Sequence, residues 1–130
     1  MDIRDAVEED AEALARIADA PTDVLRNVIH DRTVRVASSG DADEILAFVA
    51  FDASPETVHV TQLSGHVDAC RQLLREPVRF ADHEGMAVEI LIPDAESQLR
   101  AIADEAGFVR DGAGPRFDGQ RTTRYRREFA

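Results

Sequence analysis

The sequence predicts a mixed α/β (α+β) fold on a single mixed sheet of about seven strands, in the order β-α-α-β-β-β-α-β-α-β-β. Short runs in which apolar and polar residues alternate are typical of strands, whereas other runs carry apolar residues at the three- and four-residue spacing of a helix. Turn-forming residues separate the runs, and no repeat or linker interrupts the 130 residues. We therefore expect one domain over residues 1–130.

The first third of the chain predicts one strand and two helices. "DIRDA" alternates Ile3 with charged residues, as a strand does. "EEDAEALARIADA" places Leu14 and Ile17 on one helical face and acidic residues at the helix start, where the dipole favours negative charge. Pro21 ends this pattern, and "TDVLRNVIHD" predicts a second amphipathic helix.

Three strands with tight turns follow. "TVRVAS" alternates, whereas "ILAFVAF" is apolar on both faces and predicts a central strand. "TVHVTQL" directs Val58 and Val60 to one face and His59 and Thr61 to the other. Because the turns "SGDADE" and "DASPE" are short, these three strands are expected to form an antiparallel meander.

The second half alternates helix and strand. Apolar residues from Val67 to Ala81 share one helical stripe, which Pro77 interrupts near Glu76 and Gly85 ends. "MAVEILIP" predicts a buried strand that runs parallel to "TVHV", since a helix joins the two. "DAESQLRAIADEAG" predicts the last helix, and "FVRD" and "TTRYRREF" close the fold as two strands.

The composition is strongly acidic, with 26 acidic residues against 15 arginines, no lysine and a net charge of −11. It resembles that of cytoplasmic proteins from salt-accumulating, halophilic archaea, because acidic surfaces stay hydrated where salt screens their repulsion. An acidic protein of ordinary surroundings is the alternative. The charge argues against nucleic acid as a partner, and the arginines of "QRTTRYRREF" are expected to pair with the acidic remainder.

The sequence lacks the features of membrane and secreted proteins, of disulfide-stabilised domains, of metal sites and of two common catalytic motifs. No run has transmembrane length and no signal-peptide pattern is present, so we expect a cytoplasmic protein without a membrane partner. Cys70 is the only cysteine, which rules out an intrachain disulfide. The four histidines show no ligand spacing, and no metal site is expected. Neither a nucleophile elbow nor a P-loop occurs.

Five features, in order over nearly the whole chain, resemble the GNAT superfamily of acyl-CoA-dependent N-acetyltransferases. They are the opening "IRDAVEEDAEALARI", "EILAFVAF", the pair Leu73–Leu74, Gly85 with the following "VEILI", and "EAGF" ending at Phe108. The resemblance implies that the fourth and fifth strands splay apart and that acetyl-CoA lies in the gap. It also implies that backbone N–H groups at the start of the central helix hold the pyrophosphate, and that a small-molecule or peptide amine is the acceptor.

The residues that the resemblance assigns to the cofactor surround the loop after "TVHV". They are Val60, Thr61, Gln62, Gly65, His66, Val67, Asp68, Ala69 and Cys70. The family's loop pattern is Gln or Arg, two residues, Gly, one residue, then Gly or Ala. Aligned from the strand, this chain matches the pattern at Gln62 and Gly65 and departs from it at Val67. Aligned from Leu73–Leu74 and Gly85, the loop is instead residues 65–70, which has neither the basic residue nor the later glycine. Asp68 is also a natural helix N-cap that would occupy the amides meant for phosphate. A non-catalytic GNAT-fold binding or regulatory protein is therefore the alternative.

His59 is the first candidate for the general base, because imidazole is suited to proton transfer near neutral pH. Glu89, the one charged residue of "VEILI", is the second, and each has a plain alternative as a surface group on the polar face. The family's tyrosine acid is replaced by Ala103 and its helix asparagine by Glu96. The only tyrosine, Tyr125, is expected to pack in the core, as is Cys70. A homodimer through the last hairpin's edge is a third alternative.

Overall fold

The computed structural model describes residues 1–40 and 44–129, so part of the turn predicted at "SGDADE" lies outside it. It confirms a mixed α/β fold on one seven-stranded sheet, ordered β1-β2-β3-β4-β5-β7-β6. The elements are β1 Asp2–Asp5, α1 Ala11–Ala18, α2 Thr22–Asp31, β2 Thr33–Ser38, β3 Ile45–Ala53, β4 Thr57–Gly65, α3 Val67–Leu73, α4 Arg75–Glu84, β5 Ala87–Pro93, α5 Ser97–Glu105, β6 Val109–Ala113 and β7 Thr122–Arg127.

The sheet mixes two kinds of strand pairing. Neighbouring strands run antiparallel except β4 and β5, which are parallel. The predicted meander of β2, β3 and β4 and the predicted parallel pair are both confirmed. The parallel pair follows from the helical crossover of α3 and α4, because a strand must be carried back across the sheet before it can run in the same direction.

The predicted central helix is two helices, and its break lies earlier than predicted. The sequence placed the interruption near Glu76, whereas α3 ends at Leu73 and α4 begins at Arg75. Pro77 falls in the first turn of α4. The missing N–H of proline costs little there, because N–H groups of a first turn have no intrahelical acceptor.

Two apolar cores lie on opposite faces of the sheet. On one face α1 and α2 cover β2 and β3 through residues such as Leu14, Leu25 and Phe48. On the other face α3, α4 and α5 cover β4, β5 and β7, with the fully buried Tyr125 among the residues of this larger core. No helix of the described residues is long and apolar enough to cross a membrane.

The entry into α1 is fixed by an ion pair between the buried Asp10 and the more exposed Arg4. The two Asp10 carboxylate oxygens accept hydrogen bonds of 2.8 Å and 3.0 Å from Arg4, and one of them also accepts the Val7 N–H at 2.8 Å. The hydrogen bonds from Arg4 lower the pKa of Asp10, with the Val7 N–H adding to the effect and burial opposing it.

We expect Asp10→Asn to lower the free energy of unfolding by about 2 kcal/mol at neutral pH. A depressed pKa in the folded state stabilises the fold above the ordinary value of 3.8, and this contribution is lost as pH falls through the folded-state pKa. Urea unfolding at a series of pH values checks this. A gap between wild type and variant that does not narrow below pH 4 would contradict it.

Candidate functional site

The sheet opens between β4 and β5. Their parallel pairing joins Thr57–Val60 to Ala87–Ile90 and goes no further. Both strands continue beyond that point, but β4 stays paired with β3 as far as Gly65, and β5 stays paired with β7 as far as Pro93. Because β4 stays with β3 and β5 stays with β7, the two strand pairs separate and a wedge-shaped gap opens in the middle of the sheet.

A β-bulge marks the start of the opening. Ala50 of β3 lies opposite Gln62 and Phe51 lies opposite Val60, so Thr61 is an extra residue in β4. The Thr61 hydroxyl donates to the Ala50 carbonyl oxygen at 3.2 Å, which holds the bulge in place. A bulge bends its strand and increases the local twist. It therefore turns β4 away from β5 at the residue where their pairing stops.

The opening continues into a cavity of about 1080 Å³, which we call the β4–β5 cleft. Its walls come from β4 and β5 on either side of the wedge, the end of α1 at Ala18, the start of α5 at Glu96, and the loop between β6 and β7. Of the predicted site residues, the cleft is lined by His59, Val60, Thr61, Gln62 and Glu89. These five residues therefore lie around one cavity, and their roles in binding or catalysis stay predictions.

The first amides of α3 follow the end of β4, past the cleft, whose lining on β4 ends at Gln62; Gly65 and His66 line a separate cavity beside α1. Among the described residues, no acceptor bonds to the N–H groups of Val67, Asp68 or Ala69. The expectation that Asp68 caps this helix is wrong. His66 is the N-cap residue and makes no side-chain cap, while Asp68 is 87% exposed and accepts from Arg71 at 2.7 Å, one turn later in the helix. The nearby arginine thus draws the carboxylate away from the amides.

Gly65 has a packing role that the sequence did not indicate. Its φ is +126°, a conformation rare for other residues, and an added Cβ would lie 2.3 Å from the Leu46 carbonyl oxygen. The next amide, that of His66, donates to the same oxygen at 3.0 Å. Glycine is needed here because β4 presses against β3 as it enters α3.

Cys70 offers the cofactor no free group. Its N–H donates to the His66 carbonyl oxygen at 2.9 Å, and its side chain is buried in the larger core. Burial raises the pKa of its thiol to about 11, so the group stays protonated and is a poor nucleophile. Of the residues predicted to bind the cofactor, Cys70 is the one whose position in the structure least supports that role.

His59 and Glu89 are register partners on β4 and β5, and both point away from the larger core. His59 Nδ1 lies 3.9 Å from Glu89 Oε1, and its Nε2 lies 3.2 Å from the Ser54 hydroxyl. The His59 side chain is 43% exposed and the Glu89 side chain 20%. The imidazole is therefore held by neighbours yet open to the cleft.

Two arginines of β7 hold Glu89; the sequence predicted that they pair with acidic residues but not which carboxylate they meet. Arg126 forms a close ion pair with one carboxylate oxygen, and Arg124 Nε lies 3.9 Å from the other. Hydrogen bonds to Glu128 and Glu89 raise the pKa of Arg126. The signal was present in the alternation of "TTRYRREF", which puts Arg124 and Arg126 on one face, but only the pairing of β5 with β7 shows which carboxylate they meet.

The two family residues that the sequence lacks have no replacement at their positions. Ala103 is fully buried in the larger core, and Glu96 is the N-cap residue of α5. Tyr125 is a core residue, as expected. Its hydroxyl is buried without a hydrogen-bond partner among the described residues, and it does not line the cleft.

Tyr125→Phe should therefore raise the free energy of unfolding by about 1 kcal/mol, because it removes a buried hydroxyl that bonds to none of the described residues. Chemical denaturation of both proteins measures the change. A loss of stability of similar size would show that the hydroxyl has a partner.

Several proteins of known structure share this architecture over nearly the full length of both chains. An acetyltransferase of the GNAT family from Bacillus cereus has a TM-score of 0.78 at 12% identity, with 99% of this chain and 97% of that chain covered. The yncA protein from Salmonella typhimurium, solved with its cofactor acetyl-CoA, has a TM-score of 0.79 at 16% identity and coverages of 100% and 94%. The ribosomal-protein-S18-alanine N-acetyltransferase from Escherichia coli has a TM-score of 0.80 at 12% identity and coverages of 99% and 94%.

The similarity to these proteins lies in the backbone fold. No family model matches the chain, and no curated protein sequence matches it. The strand order, and the full-length coverage in both directions, are what this chain shares with the solved structures. The chain has the fold of the GNAT-family acetyltransferases.

Proposed function

We propose that the protein transfers an acetyl group from acetyl-CoA to the nitrogen of an amine. The observation that carries the proposal is the end of β4–β5 pairing at Val60 and Ile90, beyond which a cavity of about 1080 Å³ opens. The yncA protein, which shares the fold, was solved with acetyl-CoA. A slender thioester fits such an opening, because the strand edge offers backbone groups that no other strand uses.

The residues present fit the cofactor. The unpaired edge of β4 beyond Val60 would hold the pantetheine arm, and the open amides of Val67, Asp68 and Ala69 would receive the pyrophosphate. The side chains of Ala69 and Cys70 point into the core and leave that surface to the backbone. Asp68 is the unfavourable charge there, and Arg71 and the salt of the medium offset it.

Catalysis then needs an amine that has lost its extra proton. We propose that His59 takes this proton, either directly or through one water molecule, since its imidazole is open to the cleft beside the end of the strand pairing. The neutral nitrogen attacks the thioester carbon, and the C–N bond forms. As the C–S bond breaks and the sulfur leaves as the thiolate, the nitrogen loses a second proton to water, which leaves the neutral amide. Glu89, held by Arg124 and Arg126, stabilises the imidazolium from 3.9 Å.

The departing sulfur has no tyrosine to protonate it, because Ala103 stands at that position. A thiol with a pKa of about 8.5 is a good leaving group and can depart as the thiolate without an acid. The absence of the tyrosine therefore lowers the expected rate without excluding the reaction.

Thermal unfolding with and without acetyl-CoA tests the proposal. Ligand at about a hundredfold above its dissociation constant should stabilise the fold by about 2.7 kcal/mol, and incubation with amines should release free thiol. Both measurements should be made in low salt and in molar salt, because the net charge of −11 repels an anionic cofactor and salt screens that repulsion.

A non-catalytic protein of the same fold is the second candidate, and the loss of the tyrosine and of the second loop glycine favours it. Protection by acetyl-CoA without thiol release for any amine would support this candidate. No protection at either salt concentration would contradict binding of the cofactor altogether.

A further inference from the structure

The outer part of the β4–β5 cleft carries carboxylates that no described residue neutralises. Glu96 at the start of α5 and Asp118 in the β6–β7 loop both line the cavity. Neither forms an ion pair or side-chain hydrogen bond with any other residue in the ranges 1–40 and 44–129. Glu89, deeper in the cleft, differs because Arg124 and Arg126 compensate its charge. The charge of the carboxylate in the deeper part of the cleft is therefore compensated, whereas the outer part carries a net negative charge.

A buried, unsatisfied oxygen lies beside the bulge. The side-chain oxygen of Gln62 is buried and accepts no hydrogen bond from the described residues, although the residue lines the cleft. Burying an amide oxygen without a donor costs free energy, so native structures usually supply one. Gln62 lies one residue beyond the bulge at Thr61 and lines the cleft, so a donor on a ligand bound there would supply the partner that this oxygen lacks among the described residues.

An aromatic ring and a carboxylate are neighbours in the part of the β6–β7 loop that lines the cleft. Phe117 and Gln120 exchange backbone hydrogen bonds of 3.1 Å and 2.8 Å around Asp118 and Gly119. Both turn residues have positive φ, +51° and +76°, as in the type I′ turn that Asp-Gly favours. This small hairpin keeps Phe117 55% exposed and next to Asp118. An exposed ring beside a carboxylate is suited to an organic cation.

We infer that the acceptor is a diamine-like molecule, with a second cationic group a few carbons from the nitrogen that is acetylated. This inference rests on the proposed function. Gln62 accepts a hydrogen bond from the reacting ammonium, which His59 then deprotonates. Glu96, Asp118 and the face of Phe117 bind the distal cation. A carboxylate in the distal position would meet the two uncompensated carboxylates and be repelled.

Three four-carbon amines test this inference: butylamine, the corresponding terminal diamine, and the corresponding amino acid with a terminal carboxylate. They differ only in the distal group, which is neutral, cationic or anionic. With acetyl-CoA, kcat/KM for the diamine should exceed that for butylamine by about tenfold at low salt, and the amino acid should be the poorest acceptor. The preference should shrink in molar salt, where the charges are screened.

The double variant Glu96→Gln/Asp118→Asn should reduce the ratio of diamine to butylamine kcat/KM to about one. Asp111→Asn is the matched control, because Asp111 is an exposed carboxylate of β6 that does not line the cleft. The control changes net charge in the same direction, and its ratio should equal that of the wild type.

Protection by acetyl-CoA against thermal unfolding separates failure of this inference from failure of the proposed function. If acetyl-CoA protects the protein and the three amines react equally, the inference about the acceptor is wrong while the proposed function stands. If acetyl-CoA protects the protein and no amine reacts, the protein is the non-catalytic candidate, and the proposed function and the inference both fail. A preference for the amino acid would also overturn it and assign the distal site to Arg124. If acetyl-CoA gives no protection and no amine reacts, the proposed function fails and the inference falls with it.

Discussion

Gly65→Ala will destabilise the protein by about 3–5 kcal/mol. The new Cβ would lie 2.3 Å from the Leu46 carbonyl oxygen and 2.5 Å from Ala47 Cα, and both are backbone atoms of β3 that no rotamer change can move. The φ of +126° adds strain for any residue with a side chain. The midpoint of urea unfolding measures the effect.

Two other glycines separate the contributions to this loss. Gly85, which ends α4, has a φ of +68° but open space where a Cβ would lie, so Gly85→Ala should cost only about 1 kcal/mol. Gly40 has neither constraint, and Gly40→Ala should leave stability nearly unchanged. If Gly65→Ala lowers the free energy of unfolding by no more than Gly85→Ala does, the result contradicts the close approach of β4 to β3.

His59→Ala should lower kcat by about a hundredfold or more while acetyl-CoA still protects the protein against unfolding. The reason is that His59 is the imidazole open to the cleft at the end of β4–β5 pairing, and proton removal from the acceptor depends on it. Steady-state kinetics with the preferred amine and a thermal shift with acetyl-CoA, made on the same preparation, measure both quantities.

His83→Ala is the matched control, since His83 is an exposed histidine of α4 on the other side of the sheet. Its kcat should equal that of the wild type. A His59→Ala protein with undiminished kcat would remove His59 from the reaction and leave Glu89 as the remaining candidate. Loss of acetyl-CoA protection in His59→Ala would instead indicate damage to the cleft.

The fold was predictable because local patterns determine each element. The alternation of Val58 and Val60 against His59 fixes the face of β4, and the helical stripe after Val67 requires a crossover and hence a parallel neighbour. The break at Leu74 was harder to place. Proline is excluded from a helix interior but tolerated in the first turn of a helix. Pro77 is therefore consistent with a helix break at the proline and equally with a break one turn before it.

The site was predictable only where one strand carries it. His59, Thr61 and Gln62 lie on β4, and the sequence placed them together. The clamp of Arg124 and Arg126 on Glu89 and the entry of Phe117 and Asp118 into the cleft depend on β7 lying beside β5, which no local pattern specifies. The prediction that Asp68 is the N-cap was wrong because N-cap preferences of neighbouring residues differ by small free energies. The hydrogen bond from Arg71 to the Asp68 carboxylate outweighs that preference here.

Backbone amide hydrogen exchange, measured residue by residue with and without acetyl-CoA, tests most directly whether the opening between β4 and β5 receives the cofactor. We predict slower exchange at the β4 amides beyond Val60 that β3 does not bond and at Val67, Asp68 and Ala69, with the amides of β2 unchanged. Exchange that stays the same at all of these positions while acetyl-CoA is bound, or that slows only elsewhere, would contradict it.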